Sequence, residues 1–559
     1  MKNKNSTNQI DLDIRGMTCE SCVLHVTRAI QSVPGVKKAD VPGWESGMAT
    51  VIAAPELNLA ALSAAVSKAG YTASVRAINN LYPATTSGTN PGRKPDFDLM
   101  VIGGGSAGFA AAIKGAELGF RVGLVNSGTI GGTCVNIGCV PSKTLIRAVE
   151  SFHQAGQRRF AGVQTMAGHL DWTQVIAHKD TLVNELRQSK YVDVLAAYPN
   201  ITLLEGRARL NGDHIIEVDD KPHTYGKLIL ATGASPWAPP IPGLADTPYL
   251  TSTSALALVE LPGSLIVLGA NAVGLELAQI YARAKVAVTV LEVLPRIAPF
   301  EDEDISAALH NELEAEGMRI ITNFKTEQVA YRDGRFILNG QVNEAPMTLS
   351  AGQLLVATGR RPNTAGLGLE EAGVELGKHG EVLVNATLQT SRLDVYAAGD
   401  VTGRDMFVYV AAYAGQLAAE NALTEVGRTY DAAYIPRVTF TDPQVASAGL
   451  TESQARQQGY EIKVSVLPMK YVPRALAAGD RRGLVKLVVN AMNDQILGAH
   501  ILAPEGGEMI QTAVIAMRFG IPVQQLRATM FPYLTNAEAL KLAVLGLEKD
   551  ISQLSCCAG

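Results

Sequence analysis

The stretch GGTCVNIGCVPSK, residues 131–143, sets Cys134 and Cys139 with four residues between them, just after a glycine-rich turn and at the start of what reads as a helix. That separation allows a strained, reducible disulfide closing a small loop. Pro141 suits a first helical turn, so Cys139 is expected near a helix N-terminus, where the partial positive charge favours a thiolate. The pair reads as a redox-active dithiol. The competing reading is a stabilising disulfide of a secreted chain. The start of the sequence, MKNKNSTNQIDLDI, is polar and has no apolar core of the kind a signal peptide needs. No run of about 18 uninterrupted apolar residues offers a membrane span. A cytoplasmic chain is expected, and structural disulfides are rare there.

Upstream of the pair lies DLMVIGGGSAGFAAAIKGAELGFRVGLVN, residues 98–126, which reads as strand, glycine turn, helix and strand. Gly103, Gly105 and Gly108 satisfy G-x-G-x-x-G, giving a tight turn, close approach of a pyrophosphate and close helix packing. The acid expected on the ribose would fall 18 residues past Gly108, where Asn126 stands; its amide can still hydrogen-bond a hydroxyl. A second copy, SLIVLGANAVGLELAQIYARAKVAVTVLE at 264–292, keeps Gly269 and Gly274 and has Asn271 for the middle glycine. Here the position 18 past the last glycine is Glu292, an acid that pairs with a free 2′-hydroxyl and leans toward NADH over NADPH. Two nucleotide units flanking a dithiol suggest electrons passing from nicotinamide to flavin to thiols. LILATGASP at 228–236 and LLVATGRRPN at 354–363 read as strands ending in glycine turns between domains, and VYAAGDVT at 395–402 would place Asp400 by the ribityl and phosphate end of a flavin.

The remaining cysteines also come in pairs, Cys19 with Cys22 and Cys556 with Cys557. Residues 8–78 read as βαββαβ, the ferredoxin-like order, with strands at 9–14, 36–41, 47–53 and 72–78 and helices at 20–32 and 57–69. GMTCESC at 16–22 puts Cys19 and Cys22 at a strand-to-helix junction, and thiolates select soft metals. This segment resembles the heavy-metal-associated domains of metal chaperones and transporting ATPases. His25 could add a ligand, although a surface histidine reads as well, and Met17 suits a small core. Residues 79–96, rich in Pro, Gly, Ser, Thr and Asn, read as a tether. Adjacent Cys556 and Cys557 have Cα atoms about 3.8 Å apart, too close for an ordinary disulfide, and suit metal binding better than electron storage. A formal net charge of −5 without lysine or arginine clusters gives no electrostatic case for nucleic acid or a membrane.

GGTCVNIGCVPSK, the paired glycine motifs, ATG and AAGD occur in the order of the pyridine nucleotide-disulfide oxidoreductases, which residues 97–559 resemble. The resemblance implies an α/β chain: a ferredoxin-like domain (1–78), tether (79–96), FAD-binding domain (97–250), NAD(P)-binding domain (251–375), FAD-binding or central segment (376–430) and α+β dimerisation domain (431–559). It makes Cys139 the thiol nearest the flavin, Cys134 the interchange thiol, and Lys143 with Glu276 an ion pair beside the flavin. Gly132, Thr133, Lys143, Thr232, Gly233 and Asp400 would hold FAD. One departure is informative. Disulfide reductases carry a His-Pro motif followed by Glu near the C-terminus, whereas this chain reads FPYLTNAEALK, with Tyr533 in the histidine's place and Glu538 retained. No histidine follows His500, and without an imidazole, protonating a leaving thiolate is hard. A soft metal ion held by thiolates needs electrons and no proton.

The metal domain, reductase core, tyrosine and terminal Cys-Cys together resemble the mercuric reductase family. That implies reduction of Hg(II) to Hg(0) with FAD and NADPH, NADH being possible, by a homodimer sharing its active sites. Cys19 and Cys22 would capture Hg(II), with a possible handoff from a mercury transporter. Cys556 and Cys557 would pass it to the partner's Cys134 and Cys139, and Tyr191 and Tyr533 would lie near its path. Blander readings stand beside these: Tyr191 as a half-buried helix residue, and Lys143 and Glu276 as solvated charges. The alternatives are a lipoamide or glutathione-type disulfide reductase with an added metal domain, or a non-catalytic metal buffer.

Overall fold

A computed structural model of the chain describes residues 8–17, 20–53, 57–80, 94–424 and 426–553. Cys19, Cys556 and Cys557 lie outside the described residues, as does most of the stretch read as a tether. The strand Thr72–Asn80 carries the chain two residues into that stretch. At its other end, Pro95 and Asp96 are tied to the core by their carbonyls, which accept hydrogen bonds from Arg121.

The N-terminal unit is an antiparallel sheet in the order 36–40, 48–53, 8–15, 72–80, with helices Glu20–Gln31 and Leu59–Lys68. Alternation in the first strand turns Ile10, Leu12 and Ile14 inward. The first helix answers with Cys22, Val26 and Ile30, spaced four apart on one face, against Leu62 and Val66 of the second helix. Cys22 is thus buried on the core-facing stripe of its helix, Met17 is buried in the same core, and His25 is exposed.

The two nucleotide units follow as parallel sheets. The first runs in the order Ile201–Glu205, Val122–Asn126, Phe97–Ile102, Lys221–Leu230, and Val395–Ala397 joins it beside Lys221–Leu230. The chain therefore returns to the first sheet after completing the second. That second sheet is Arg319–Ile321, Ala287–Leu291, Ser264–Leu268, Gln353–Val356. Near-continuous apolar runs such as SLIVL suit strands covered on both faces. A five-stranded antiparallel sheet with helices Gly506–Arg518 and Glu538–Leu545 forms the C-terminal unit.

One apolar cluster positions the site. Leu145, Ile146 and Val149 of the helix Cys139–Ala155 are buried with Leu275, Leu277 and Ala278 of the helix Ala272–Arg283. Packing these two helices together brings the segment after the cysteines against the second nucleotide unit. Among the described residues no helix is long and apolar enough to cross a membrane.

Candidate active site

At the first glycine turn, Gly103 has φ +114°, and a Cβ there would lie 2.2 Å from the Ala231 carbonyl oxygen. Only glycine allows this close approach of turn and neighbouring strand end. Gly105 caps the helix Ser106–Glu117, whose N-terminal amides face the cavity described below, and Gly108 sits inside that helix against the strand. Gly132, at φ +64°, meets this turn edge-on: a Cβ there would fall 2.5 Å from Gly105 Cα. The loop carrying the cysteines is pressed onto the nucleotide turn as a result.

Cys134 belongs to a short helix, Gly132–Ile137, that breaks at Gly138, and Cys139 is the first residue of the next helix. Both are half-buried free thiols. A hydrogen bond from the Cys134 thiol pulls the Cys139 thiol down to about 7. Burial opposes the shift, while the Lys143 ammonium and the N–H at the helix start assist it. The same bond, followed by burial and the charge on Cys139, pushes Cys134 upward. Two chemically identical side chains thus become one thiolate and one thiol.

One turn along, Lys143 Nζ lies 2.7 Å from Glu276 Oε2. Glu276 is buried, and its other oxygen accepts the Phe440 N–H at 2.8 Å. The Lys143 ammonium also stands 4.5 Å from the centroid of the Phe440 ring.

A cavity of about 820 Å³ runs through these groups, lined by Gly103 to Ala107, Asn126, Gly132 to Cys134, Cys139, Lys143, Thr232, Gly233, Ala272, Val273, Glu276, Arg360 and Asp400, among others. Its volume lies toward the upper end for small-molecule sites. Thr232 is locked by its hydroxyl donating to the Asn363 carbonyl at 2.6 Å, and Gly233 turns the chain at φ +71°. On the same lining the Asp400 carboxyl is raised by burial, against the opposing charge of Arg360 at 3.9 Å. The residues present fit a flavin dinucleotide: backbone amides at a helix start for the pyrophosphate, a buried acid for hydroxyls, and the thiolate at the redox end.

Asn126 and Glu292 hold their own glycine turns. Asn126 Oδ1 accepts from Gly104 N at 3.2 Å, and Glu292 Oε2 from Ala270 N at 2.8 Å. The other oxygen of Glu292 accepts from Leu294 N at 3.0 Å, and Arg296 is occupied with the Glu301 carbonyl at 2.8 Å. Gly269 and Gly274 take the corresponding places at the entry to Ala272–Arg283. None of Gly269, Gly274 and Glu292 lines the cavity with the cysteines, whereas Ala272, Val273 and Glu276 of the same unit do.

Tyr191 sits on a five-residue π-helical turn, Gln188–Val192, of a kind that recurs at functional sites. Its ring stands edge-on to Phe109 at 4.7 Å between centroids. Burial raises its hydroxyl, a hydrogen bond with Ser106 lowers it, and the charges of Cys134 and Cys139 raise it further. Tyr533 is not brought to this cavity by its own chain; it is 53% exposed on a loop where Leu534 N donates to Glu538 Oε2 at 3.2 Å. Burial raises the Glu538 carboxyl. Two residues escaped the sequence reading. Arg360 stands inside the quoted ATGRRPN without a role having been given to it. Phe440 carries no local signal, because only folding sets it against Lys143.

Residues 97–415 match the family described as pyridine nucleotide-disulphide oxidoreductase, residues 435–544 its dimerisation domain, and residues 11–72 the heavy-metal-associated domain. The chain is 43% identical over 552 residues to a mercuric reductase of Staphylococcus aureus, covering 99% of this chain and 100% of that one. To a mercuric reductase of Shigella flexneri it is 41% identical over 570 residues, covering 98% and 100%. Among solved structures it is similar to the HOCl-induced flavoprotein disulfide reductase RclA from Escherichia coli, with 33% identity and TM-score 0.73 over 80% of this chain and 99% of that one.

Proposed function

Because the chain belongs to the pyridine nucleotide-disulphide oxidoreductases, and within them to the mercuric reductases, we propose that it reduces Hg(II) to Hg(0) at Cys134 and Cys139. The observation that carries this reading is a single cavity holding both cysteines and residues of both nucleotide units. FAD, when bound, supplies a carrier that takes a hydride from a nicotinamide and hands on an electron pair.

Around it the chain's own residues bind, orient and protect. Cys139 waits as a thiolate and Cys134 as the thiol that hydrogen-bonds it. Hg(II), the substrate, exchanges its thiolate ligands for these two sulfurs: the Cys139 thiolate displaces one, and Cys134 gives its proton to another as it leaves. The balance NAD(P)H + Hg(II) → NAD(P)⁺ + H⁺ + Hg(0) releases a proton and consumes none. Tyr533 in place of a histidine is consistent with that balance, since electron transfer to Hg(II) breaks no S–S bond and so creates no leaving thiolate for an acid to protonate. Lys143, paired with Glu276, keeps a compact positive charge at the redox end with a counter-charge beside it.

Cys19 with Cys22 captures the ion, which a mercury transporter hands over. Cys556 with Cys557 delivers it to Cys134 and Cys139 of the other subunit, where Tyr191 and the second subunit's copy of Tyr533 flank its path, and Glu538 supports that loop. The matched dimerisation domain supports a homodimer, and exposure of Tyr533 on its own chain supports sharing of the site. We place the enzyme in the cytoplasm and assign it both NADPH, which the mercuric reductase resemblance implies, and NADH, toward which an acid at position 292 of the second glycine motif leans.

The test follows NADPH and NADH oxidation by the purified flavoprotein with Hg(II) under excess thiol, trapping elemental mercury from the headspace, with oxidised glutathione and lipoamide in parallel. One Hg(0) per nucleotide oxidised supports the reading. Disulfide turnover without Hg(0) replaces it with a disulfide reductase, and silence in every lane with a metal buffer.

A further inference from the structure

The segment Phe440–Asp442, in the connection between the strands Arg437–Thr439 and Gln444–Gly449 of the C-terminal sheet, is strapped to one face of the helix Ala272–Arg283. Glu276 Oε1 accepts from Phe440 N at 2.8 Å. Gln279 accepts from Asp442 N at 2.8 Å and donates to the Asp442 carbonyl at 2.9 Å. Arg283 donates to Asp442 Oδ2 at 2.8 Å, and Arg482 reaches its Oδ1 at 2.9 Å. The 276, 279, 283 spacing is one helical stripe, and every rung but the first lies away from the redox cavity. The strap ends at Phe440, whose ring faces the Lys143 ammonium at 4.5 Å while its N–H holds the Glu276 carboxylate.

One residue of the C-terminal unit thus grips both members of the Lys143–Glu276 pair. The Lys143 side chain keeps 32% of its surface exposed, so ion pairing alone leaves a long flexible stem free to turn toward solvent, and the ring contact at 4.5 Å adds a second hold on its ammonium. We propose that Phe440 is a positioning residue that holds the Lys143–Glu276 pair at the redox end of the cavity, joining the C-terminal domain to electron delivery. Phe440 does not itself line the cavity; it acts through the pair. The inference rests on reading that pair as standing beside the flavin. Its rival is plain packing, because the Phe440 ring also rests on the cluster containing Leu145 and Leu275.

The experiment uses full-length, FAD-loaded Phe440→Leu, Phe440→Tyr, Gln279→Met and Lys143→Gln. It reads anaerobic bleaching of the flavin by NADPH, the visible spectra of oxidised and two-electron-reduced enzyme, the KM for NADPH, and the thermal midpoint. Losing the ring contact slows bleaching roughly two- to thirtyfold and shifts both spectra, with KM unchanged. Phe440→Tyr restores both, and Gln279→Met, which loosens the strap from a distance, gives a smaller change of the same kind. A Phe440→Leu enzyme with native bleaching and spectra, whatever its midpoint, overturns the inference in favour of packing. Should that variant fail to fold, native bleaching and spectra in Gln279→Met overturn it. If Lys143→Gln alone alters these readouts, only the role of Phe440 falls; if Lys143→Gln is also silent, the reading of the ion pair falls with it.

Discussion

Asn126 and Glu292 occupy the same post in two copies of one nucleotide-binding unit: each stands 18 residues past the last glycine of its turn and accepts the N–H that follows the first glycine. The neutral amide serves the first unit and the carboxylate the second. A buried turn whose amide is already paired can be held by either, so the difference in charge is free to serve ligand choice.

Glu292 is buried with both oxygens engaged by backbone N–H groups. Replacing it with glutamine turns an NH₂ toward one of them and costs about 1–3 kcal/mol. The same change removes the charge that opposes a 2′-phosphate, so the ratio of catalytic efficiencies moves toward NADPH. Urea denaturation and paired NADH and NADPH kinetics check this. A strong native preference for NADPH that is indifferent to Glu292→Gln would show that the charge plays no part.

Glu276 is more deeply buried than its partner Lys143, at 8% against 32% side-chain exposure. Truncating the acid to leucine strands a partly desolvated ammonium and an unpaired Phe440 N–H. Breaking a fully buried pair costs about 3–5 kcal/mol; discounting for the exposed lysine, about 2 kcal/mol is expected here. Chemical denaturation should show that loss together with slowed flavin reduction. Full-speed reduction with only the stability loss would confine the pair to a structural role.

The Cys139 thiol is brought down to about 7, first by the Cys134 hydrogen bond. Because the folded value lies below the ordinary thiol value, the thiolate is present above about 7 and is lost as pH falls through it. In the two-electron-reduced holoenzyme, long-wavelength thiolate absorbance should follow that curve. Cys134→Ala removes the donor and moves the midpoint upward. An unmoved midpoint would leave Lys143 and the helix N-terminus as the whole cause.

Alanine at both Cys556 and Cys557 should slow turnover on thiol-complexed Hg(II) while flavin reduction by NADPH keeps its native rate. Rapid-mixing absorbance separates the two steps. Equal losses in both would remove the handoff from the tail.

Much of this protein is legible from local pattern. Alternation at Ile10, Leu12 and Ile14, the glycine spacing at 103, 105 and 108, and the strand-to-helix switch after each turn are short-range signals. The C-x₄-C pair with a helix starting at Cys139 belongs with them, since backbone sterics and helix termini act within a few residues. Arg360 and Phe440 went unread for the opposite reason. Their meaning lies in a carboxylate or an ammonium supplied from far along the chain.

The sequence by itself determined the two nucleotide units, the metal-domain strand order and the helix start at Cys139, because each is encoded by neighbours in the chain. Only the tertiary structure decided that a hydrogen bond from Cys134 leads the lowering of the Cys139 thiol, that Lys143 is paired rather than solvated, and that Glu292 is buried against its own turn. Those outcomes depend on desolvation and on groups far apart in the chain, such as Lys143, Glu276 and the Phe440 ring, which become neighbours only when the helices Cys139–Ala155 and Ala272–Arg283 pack.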